Sequence, residues 1–212
     1  MNIIYLRCMT MNHIYRYILL FCSLCSFALI PLNAGSLPEN NFIFYRGLFT
    51  DSDLLHIFFK QDTEYMDSNL YVLGLNKKID KEFGNFSFEK EGHLGIHRGI
   101  MKHIEMNALM VARYSRPAGL PVSFGIGEGL SIASRNPDLE NKRRDIFNPY
   151  EESEYSNKLL NYLMFEMVFH PPGRLSSAKP FIRVHHRSGV YGVYCPPTCG
   201  SNFISYGVRV SY

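Results

Sequence analysis

Strict alternation of apolar and polar residues constrains the fold of this 212-residue chain more than any other feature. Side chains of a β-strand point alternately to opposite faces, so a period of two indicates a strand with two different surroundings. Between Lys102 and Tyr114 one face carries Ile104, Met106, Ala108, Met110 and Ala112, and the other carries His103, Glu105, Asn107 and Arg113. Ser201–Tyr212 alternates in the same way. Each stretch therefore predicts a long strand with one apolar and one polar face.

Turn residues divide the chain after residue 34 into eight such candidate strands. They are Asn41–Leu48, Ser68–Lys78, Gly84–His97, Lys102–Tyr114, Pro121–Ser134, Asn157–His170, Pro180–Gly192 and Ser201–Tyr212. Most run to 11 to 14 residues, roughly twice the usual strand length in a soluble sandwich. Between the first two, "TDSDLLHIFF" predicts a short helix.

Long two-faced strands are typical of transmembrane β-barrels. The predicted fold is therefore all-β: an eight-stranded antiparallel up-and-down barrel of the outer-membrane type. The alternative is a soluble exported β-sandwich or lipocalin-like barrel, which would place its apolar residues inside and need a polar outer face.

The N-terminal 34 residues differ from the rest of the chain. They contain Arg7 and Arg16 but no acidic residue, and "YILLFCSLCSFALIPL" is uncharged and followed by "NAGS". A basic start, a short apolar core and a small residue at Ala34 predict a signal peptide over 1–34, leaving a single barrel domain over 35–212. A transmembrane anchor is the alternative, although the core is shorter than the ~20 residues that span a bilayer. The expected location is the Gram-negative outer membrane.

Cleavage would leave Cys195 and Cys199 as the cysteines of the mature chain, and an exported pair predicts a disulfide. The pair offers too few ligands for a metal, and the histidines of "HLGIH" and "HIEMNA" show no metal spacing on a shared face, so neither a metal site nor a cofactor is predicted. Loss of Arg7 and Arg16 lowers the formal charge from +3 to +1, which gives no reason to expect a nucleic-acid partner.

Polar side chains on the penultimate strand provide the candidate site. Arg183, His185 and Arg187 share one face, whereas His186 and Ser188 share the other with apolar residues such as Ile182, Val184 and Val190. The second face is the lipid-facing one by composition. A histidine and a serine there are costly unless they are used or lie at the level of the lipid headgroups.

A His-x-Ser pair on the penultimate strand of an eight-stranded barrel resembles the lipid A 3-O-deacylases, an acyloxyacyl hydrolase-like family of outer-membrane barrels. The resemblance implies that His186 is the general base and Ser188 the nucleophile, acting on an acyl ester from the outer face. The segments "GEGLS", "LLNYLMFE", "HHRSG" and "GSN" also resemble outer-membrane barrels related to that family.

The chain departs from the family pattern at two positions. The deacylases follow the serine with asparagine, where this chain has Gly189, and their acidic triad residue falls where this chain has Gly200. Glu166 is one substitute, because symmetric pairing about the preceding turn places it opposite His185 or His186. Glu128, one strand further, is the other.

Glu166 has a second interpretation. Its strand neighbours Leu159, Leu163, Phe165, Met167 and Phe169 make the more apolar face, which turns Glu166 inward. There it would pair with Arg183, His185 and Arg187 in the lumen.

Two functional hypotheses follow. The first is an outer-membrane esterase that removes an ester-linked acyl chain from lipid A, with lipopolysaccharide and outer-membrane lipid as partners. The second is a non-catalytic barrel of the same descent, with a structural, adhesion or lipid-binding role. A pore is less expected, because eight strands enclose too narrow a lumen for an aqueous channel.

Overall fold

The computed structural model describes residues 40–59, 63–140, 156–173, 176–190, 193–195 and 199–212. The predicted signal peptide lies outside these residues. The strands are β1 (Asn40–Thr50), β2 (Tyr65–Phe83), β3 (Phe86–Gly99), β4 (Ile104–Ser115), β5 (Val122–Ala133), β6 (Leu159–Phe169), β7 (Ala178–Ser188) and β8 (Gly200–Ser211). The predicted short helix is present as α1 (Leu54–Phe59), and single 3-10 turns lie at Pro117–Gly119 and Asp138–Glu140. No helix of the described residues is long and apolar enough to cross a membrane.

The eight strands form a closed antiparallel barrel in sequence order, with β8 pairing back onto β1. The predicted up-and-down barrel is therefore confirmed. Following paired residues once round the barrel from Thr50 leads back to Asn40 of the same strand, a stagger of ten residues. A stagger of this size tilts the strands by roughly 40° to the barrel axis.

The barrel buries charged and polar side chains inside, together with apolar clusters, and its outer face is apolar. On β4 the inward residues Glu105, Asn107 and Arg113 are buried, whereas Met106 and Met110 on the other face are exposed. Large apolar side chains are exposed on most strands, including Phe44, Leu73, Leu94, Ile104, Ile126, Ile132 and Ile182. This polarity is opposite to that of a soluble barrel and is the pattern of barrels surrounded by lipid.

An ion network fills the middle of the lumen. Its members are Glu89, Glu91, Arg113, Glu166, Arg183 and Arg209. Arg183 lies 2.5 Å from Glu166 and 2.9 Å from Glu91, while Arg113 lies 2.6 Å from Glu89. Three carboxylates thus face three guanidinium groups, and this pairing is what makes their burial tolerable.

The two ends of the barrel differ. Strands are joined at one end by the short connections 84–85, 116–121 and 170–177, and at the other by 51–64, 100–103, 134–158 and 189–199. At this second end, the mouth, Leu139 packs against the buried apolar cluster of the lumen. Glu140 accepts hydrogen bonds there from Arg187 and Ser201, at 2.5 and 2.9 Å. Burial raises the pKa of Glu140, although the Arg187 guanidinium opposes the shift.

Candidate functional site

His186 and Ser188 lie on the outward face of β7, close to the mouth. They alternate with Arg183, His185 and Arg187, which are each 0% exposed in the lumen. The two outward side chains are half-buried. Residues two apart on a strand are about 6.5–7 Å apart, so an imidazole and a hydroxyl at these positions can reach one substrate group together.

Asn202 of β8 fixes the histidine. It pairs with His186 across the β7–β8 ladder, and its Oδ1 lies 2.6 Å from His186 Nδ1. Asn202 Nδ2 donates to the Ser52 carbonyl at 2.9 Å, which determines which way the amide points. Since the amide oxygen faces the ring, Nδ1 carries a proton and donates it to Asn202 Oδ1.

Asn202 was not singled out in the sequence. The sequence held no signal for it, because pairing symmetric about Cys195 and Cys199 would place Val208 opposite His186, whereas the structure pairs His186 with Asn202.

Ser188 is the last residue of β7. The Val190 N–H donates to its Oγ at 3.1 Å, and Val190 has a φ of 48°, which is rare for a β-branched residue. The strand therefore ends at Ser188 rather than at the predicted Gly192. Val190, predicted on the outward face of the strand, belongs instead to the turn.

The disulfide explains the first departure from the family pattern. Cys195 and Cys199 are bridged, as predicted, with their Cα atoms 6.2 Å apart. A Cβ on Gly189 would lie 2.5 Å from Cys195 Sγ and 2.8 Å from Cys199 Sγ, closer than packed atoms approach. The bridge thus requires a glycine directly after Ser188.

Gly200 explains the second departure. It pairs with Ser188, has a φ of 138°, and any Cβ there would lie 2.3 Å from the Arg187 carbonyl oxygen. Only glycine adopts this conformation without strain and fits in this space. An acidic side chain at position 200 is incompatible with this backbone.

Glu166 lies in the lumen, as the second of its two interpretations predicts. It pairs with Arg183 across the β6–β7 ladder, so the predicted position opposite His185 or His186 is wrong by two or three residues. Its carboxylate lies 2.9 Å from Arg113 and 2.7 Å from Arg209 in addition to Arg183. The structure does not bring Glu166 and His186 together.

Glu128 is on the outward face of β5 and is exposed. Leu163 of β6 stands between Glu128 and His186, which separates the two by two strand spacings, about 10 Å. Asn161, which pairs with Ser188, donates to the Glu128 carboxylate at 3.4 Å. Glu128 is thus linked to the neighbourhood of Ser188 through an amide.

The β1–β2 connection covers part of the outward face beside the site. Ser52 receives the hydrogen bond from Asn202, and Phe58 of α1 meets Phe165 of β6 edge-on, with ring centroids 5.1 Å apart. Val184, although it points outward, is 7% exposed. Helix α1 therefore forms a wall on the side of His186 away from the mouth.

Comparison with known proteins supports the fold. No protein-family model and no curated protein sequence matches the chain. Among solved structures, the outer membrane enzyme PagL is similar over 81% of this chain and 99% of its own, with a TM-score of 0.50 and 12% identity. Neisserial surface protein A (NspA) is similar over 82% of this chain and 96% of its own, with a TM-score of 0.46 and 12% identity. At such low identity the likeness to PagL shows the barrel fold alone.

Proposed function

We propose that the chain is an outer-membrane barrel and an esterase that removes an ester-linked acyl chain from lipid A or a similar acylated glycolipid. The proposal rests on two linked hydrogen bonds. One joins His186 Nδ1 to Asn202 Oδ1, and the other joins Asn202 Nδ2 to the Ser52 carbonyl. A histidine oriented by a hydrogen bond and placed next to a serine is the arrangement of serine hydrolases, and asparagine is the orienting residue in the related Cys-His-Asn triads.

The reaction follows from these positions. Ser188 Oγ attacks the ester carbonyl while His186 Nε2 takes its proton, and His186 then returns that proton to the leaving sugar alcohol. Water, activated by the same nitrogen, releases the fatty acid from Ser188. The backbone of the turn after Ser188 would hold the oxyanion, because the Val190 N–H already donates to Ser188 Oγ.

The surroundings of the site suit an acylated glycolipid. The exposed apolar outer surface suits contact with acyl chains, and the position of Ser188 at the end of β7 suits an ester close to the headgroups. The exposed phenylalanines of α1, Phe58 and Phe59, would lie against acyl chains beside the site. The substrate would therefore reach Ser188 from the membrane.

One observation favours the second candidate, a non-catalytic barrel that binds lipid headgroups. The family's acidic position is Gly200, whose backbone leaves no room for a carboxylate. In that case His186, Asn202 and Ser188 would only hydrogen-bond phosphate or sugar groups.

The test is fatty-acid release from purified lipopolysaccharide by the barrel folded in detergent. Ser188→Ala should abolish release, because the nucleophile is lost. Asn202→Ala should lower it by about 100-fold or more, the scale of losing a well-placed general base. Asn202→Asp keeps the acceptor for His186 Nδ1 but loses the donor to the Ser52 carbonyl, so it should retain more activity than Asn202→Ala and less than the unmutated protein.

Glu128→Gln is the matched control. It should leave release unchanged if Asn202 orients His186, and lower it if Glu128 is the acid. No release by the unmutated protein from several lipid A types would leave the non-catalytic barrel as the function.

A further inference from the structure

A second polar cluster lies in the lumen at the mouth of the barrel, whereas His186 lies on the outward face. It comprises His97 at the end of β3, His103 in the β3–β4 connection and Glu105 at the start of β4. Their exposures are 2, 6 and 0%, and one donor atom from each lies within 4.8 Å of the others. The histidine rings stack with centroids 3.8 Å apart.

Hydrogen bonding within the protein accounts for part of this cluster. Glu105 is well satisfied: His97 Nε2 lies 2.7 Å from its Oε2, Ser131 donates to its Oε1 at 3.1 Å, and His185 Nε2 lies 3.0 Å from the same oxygen. These contacts hold the carboxylate in one orientation, as outer-shell groups do around metal ligands.

His103 is not explained in this way. Neither of its ring nitrogens has a hydrogen-bond partner among the described residues, and Nδ1 of His97 also has none. A buried polar atom without a partner costs about 1–3 kcal/mol, so such atoms call for a ligand.

We propose that His97, His103 and Glu105 bind a divalent transition metal of the zinc class. Two imidazole nitrogens and one carboxylate oxygen are a ligand set that zinc takes, with a water in the fourth position. Calcium and magnesium prefer oxygen ligands throughout, so the two histidines select against them.

Binding an ion requires the three donor atoms to move closer together. Ligands of a tetrahedral zinc are about 3.3 Å apart, somewhat closer than the 4.8 Å limit within which these donor atoms lie. His103 stands outside the strands, where its ring can turn away from stacking on His97. The bound ion would tie the β3–β4 connection to the barrel wall.

The two arginines near the site are both paired with carboxylates. Arg187 forms an ion pair with Glu140 at 2.5 Å, and Arg135 forms one with Asp138. Their positive charge is therefore partly offset, and Glu105 supplies the negative charge at the site.

The test uses untagged barrel, folded in detergent and stripped of metal by a chelator. Titration with Zn²⁺ should give one equivalent bound and a higher thermal unfolding temperature, and Co²⁺ should give the visible spectrum of a tetrahedral nitrogen and oxygen site. His103→Ala should weaken binding by more than the roughly 10- to 100-fold that outer-shell changes cost.

His103→Ala also separates a metal ligand from a structural residue. Because His103 makes no hydrogen bond with the described residues, its loss should cost the metal-free barrel only the packing and ring stacking of the side chain, whereas the increase in unfolding temperature caused by Zn²⁺ should disappear. His170→Ala, which removes a histidine at the opposite end of the barrel, should keep both the binding and the increase.

Two outcomes would overturn the proposal: no stoichiometric Zn²⁺ binding by the unmutated barrel, or equal binding by His103→Ala. The site does not rest on the proposed esterase. Ser188→Ala should bind the metal normally, so failure of either proposal is recognised separately.

Discussion

Replacing Arg183 by methionine tests whether the ion network is the core of this barrel. Arg183 is 0% exposed, and its guanidinium contacts Glu166 and Glu91 and lies 3.2 Å from His93 Nε2. It also stacks over the rings of Tyr45 and Phe181, each centroid 5.1 Å away. Methionine fills much of the same volume without the charge, so the change isolates the electrostatic contribution.

The expected magnitude follows from the charges left behind. Without Arg183, the carboxylates of Glu89, Glu91 and Glu166 share only two network cations, Arg113 and Arg209. Removing one partner from a buried ion pair costs about 3–5 kcal/mol, because an uncompensated charge stays in the interior. We expect a decrease of this size in the free energy of unfolding.

Urea unfolding of the barrel in lipid vesicles, followed by the shift in gel migration between folded and heated protein, measures this loss. The double variant Arg183→Met with Glu166→Gln returns the network to two charges of each sign. It should be more stable than Arg183→Met alone by about 1–3 kcal/mol.

Arg46→Met is the matched control, since Arg46 is exposed on the outward face and bonds Asn69 there. It should cost under about 1 kcal/mol. A loss below about 1 kcal/mol for Arg183→Met, or additive effects in the double variant, would refute the argument that paired charges form the core.

Two further predictions concern the ends of the barrel. Gly189→Ala forces a Cβ against both disulfide sulfurs, so it should lower stability by about 1–3 kcal/mol and make the Cys195–Cys199 bridge easier to reduce, as thiol titration during reduction would show. His170 has its pKa lowered to about 4, first by burial and then by neighbouring cations such as Lys179. The unfolded state therefore binds a proton at His170 more tightly than the folded state does. The contribution of His170 to the free energy of unfolding is complete above pH 6.5 and decreases as the pH falls towards 4. Allowing for its partial exposure, the loss by pH 5 is about 1 kcal/mol. In urea unfolding, His170→Gln should make the free energy of unfolding depend less on pH between pH 6.5 and 4. An unchanged pH dependence would contradict the lowered pKa of His170.

The barrel was predictable from the sequence because its signal is repeated on every strand. A period of two over about ten residues fixes both the strand and the face of each side chain, and it placed His186 and Ser188 on the opposite face from His185 and Arg187. The short helix after β1 and the disulfide were also predicted. All of these features depend on residues close together in the sequence.

Features that depend on register were not predicted. The β6–β7 ladder pairs Glu166 with Arg183, two or three residues from the predicted partners, and alternation along a strand does not fix its position along the neighbouring strand. The histidine and glutamate cluster at the mouth was missed for a related reason. Its residues come together only when the β3–β4 hairpin is paired so that the His97 N–H reaches the His103 carbonyl at 2.9 Å.

The ion network also bears on how such a barrel can assemble. Its cations and carboxylates come from strands far apart in the sequence: Arg209 of β8 binds Glu89 and Glu91 of β3. In a bilayer, an open sheet that lacks β8 would leave carboxylates without their cation, and a separate hairpin would carry an arginine into hydrocarbon at about 2–4 kcal/mol. Partial sheets are therefore unstable in the bilayer, and the favourable ion pairs form only when the barrel closes. We therefore expect a barrel with this interior to enter the membrane in one concerted step, in which Arg209 of β8 neutralises the carboxylates of β3.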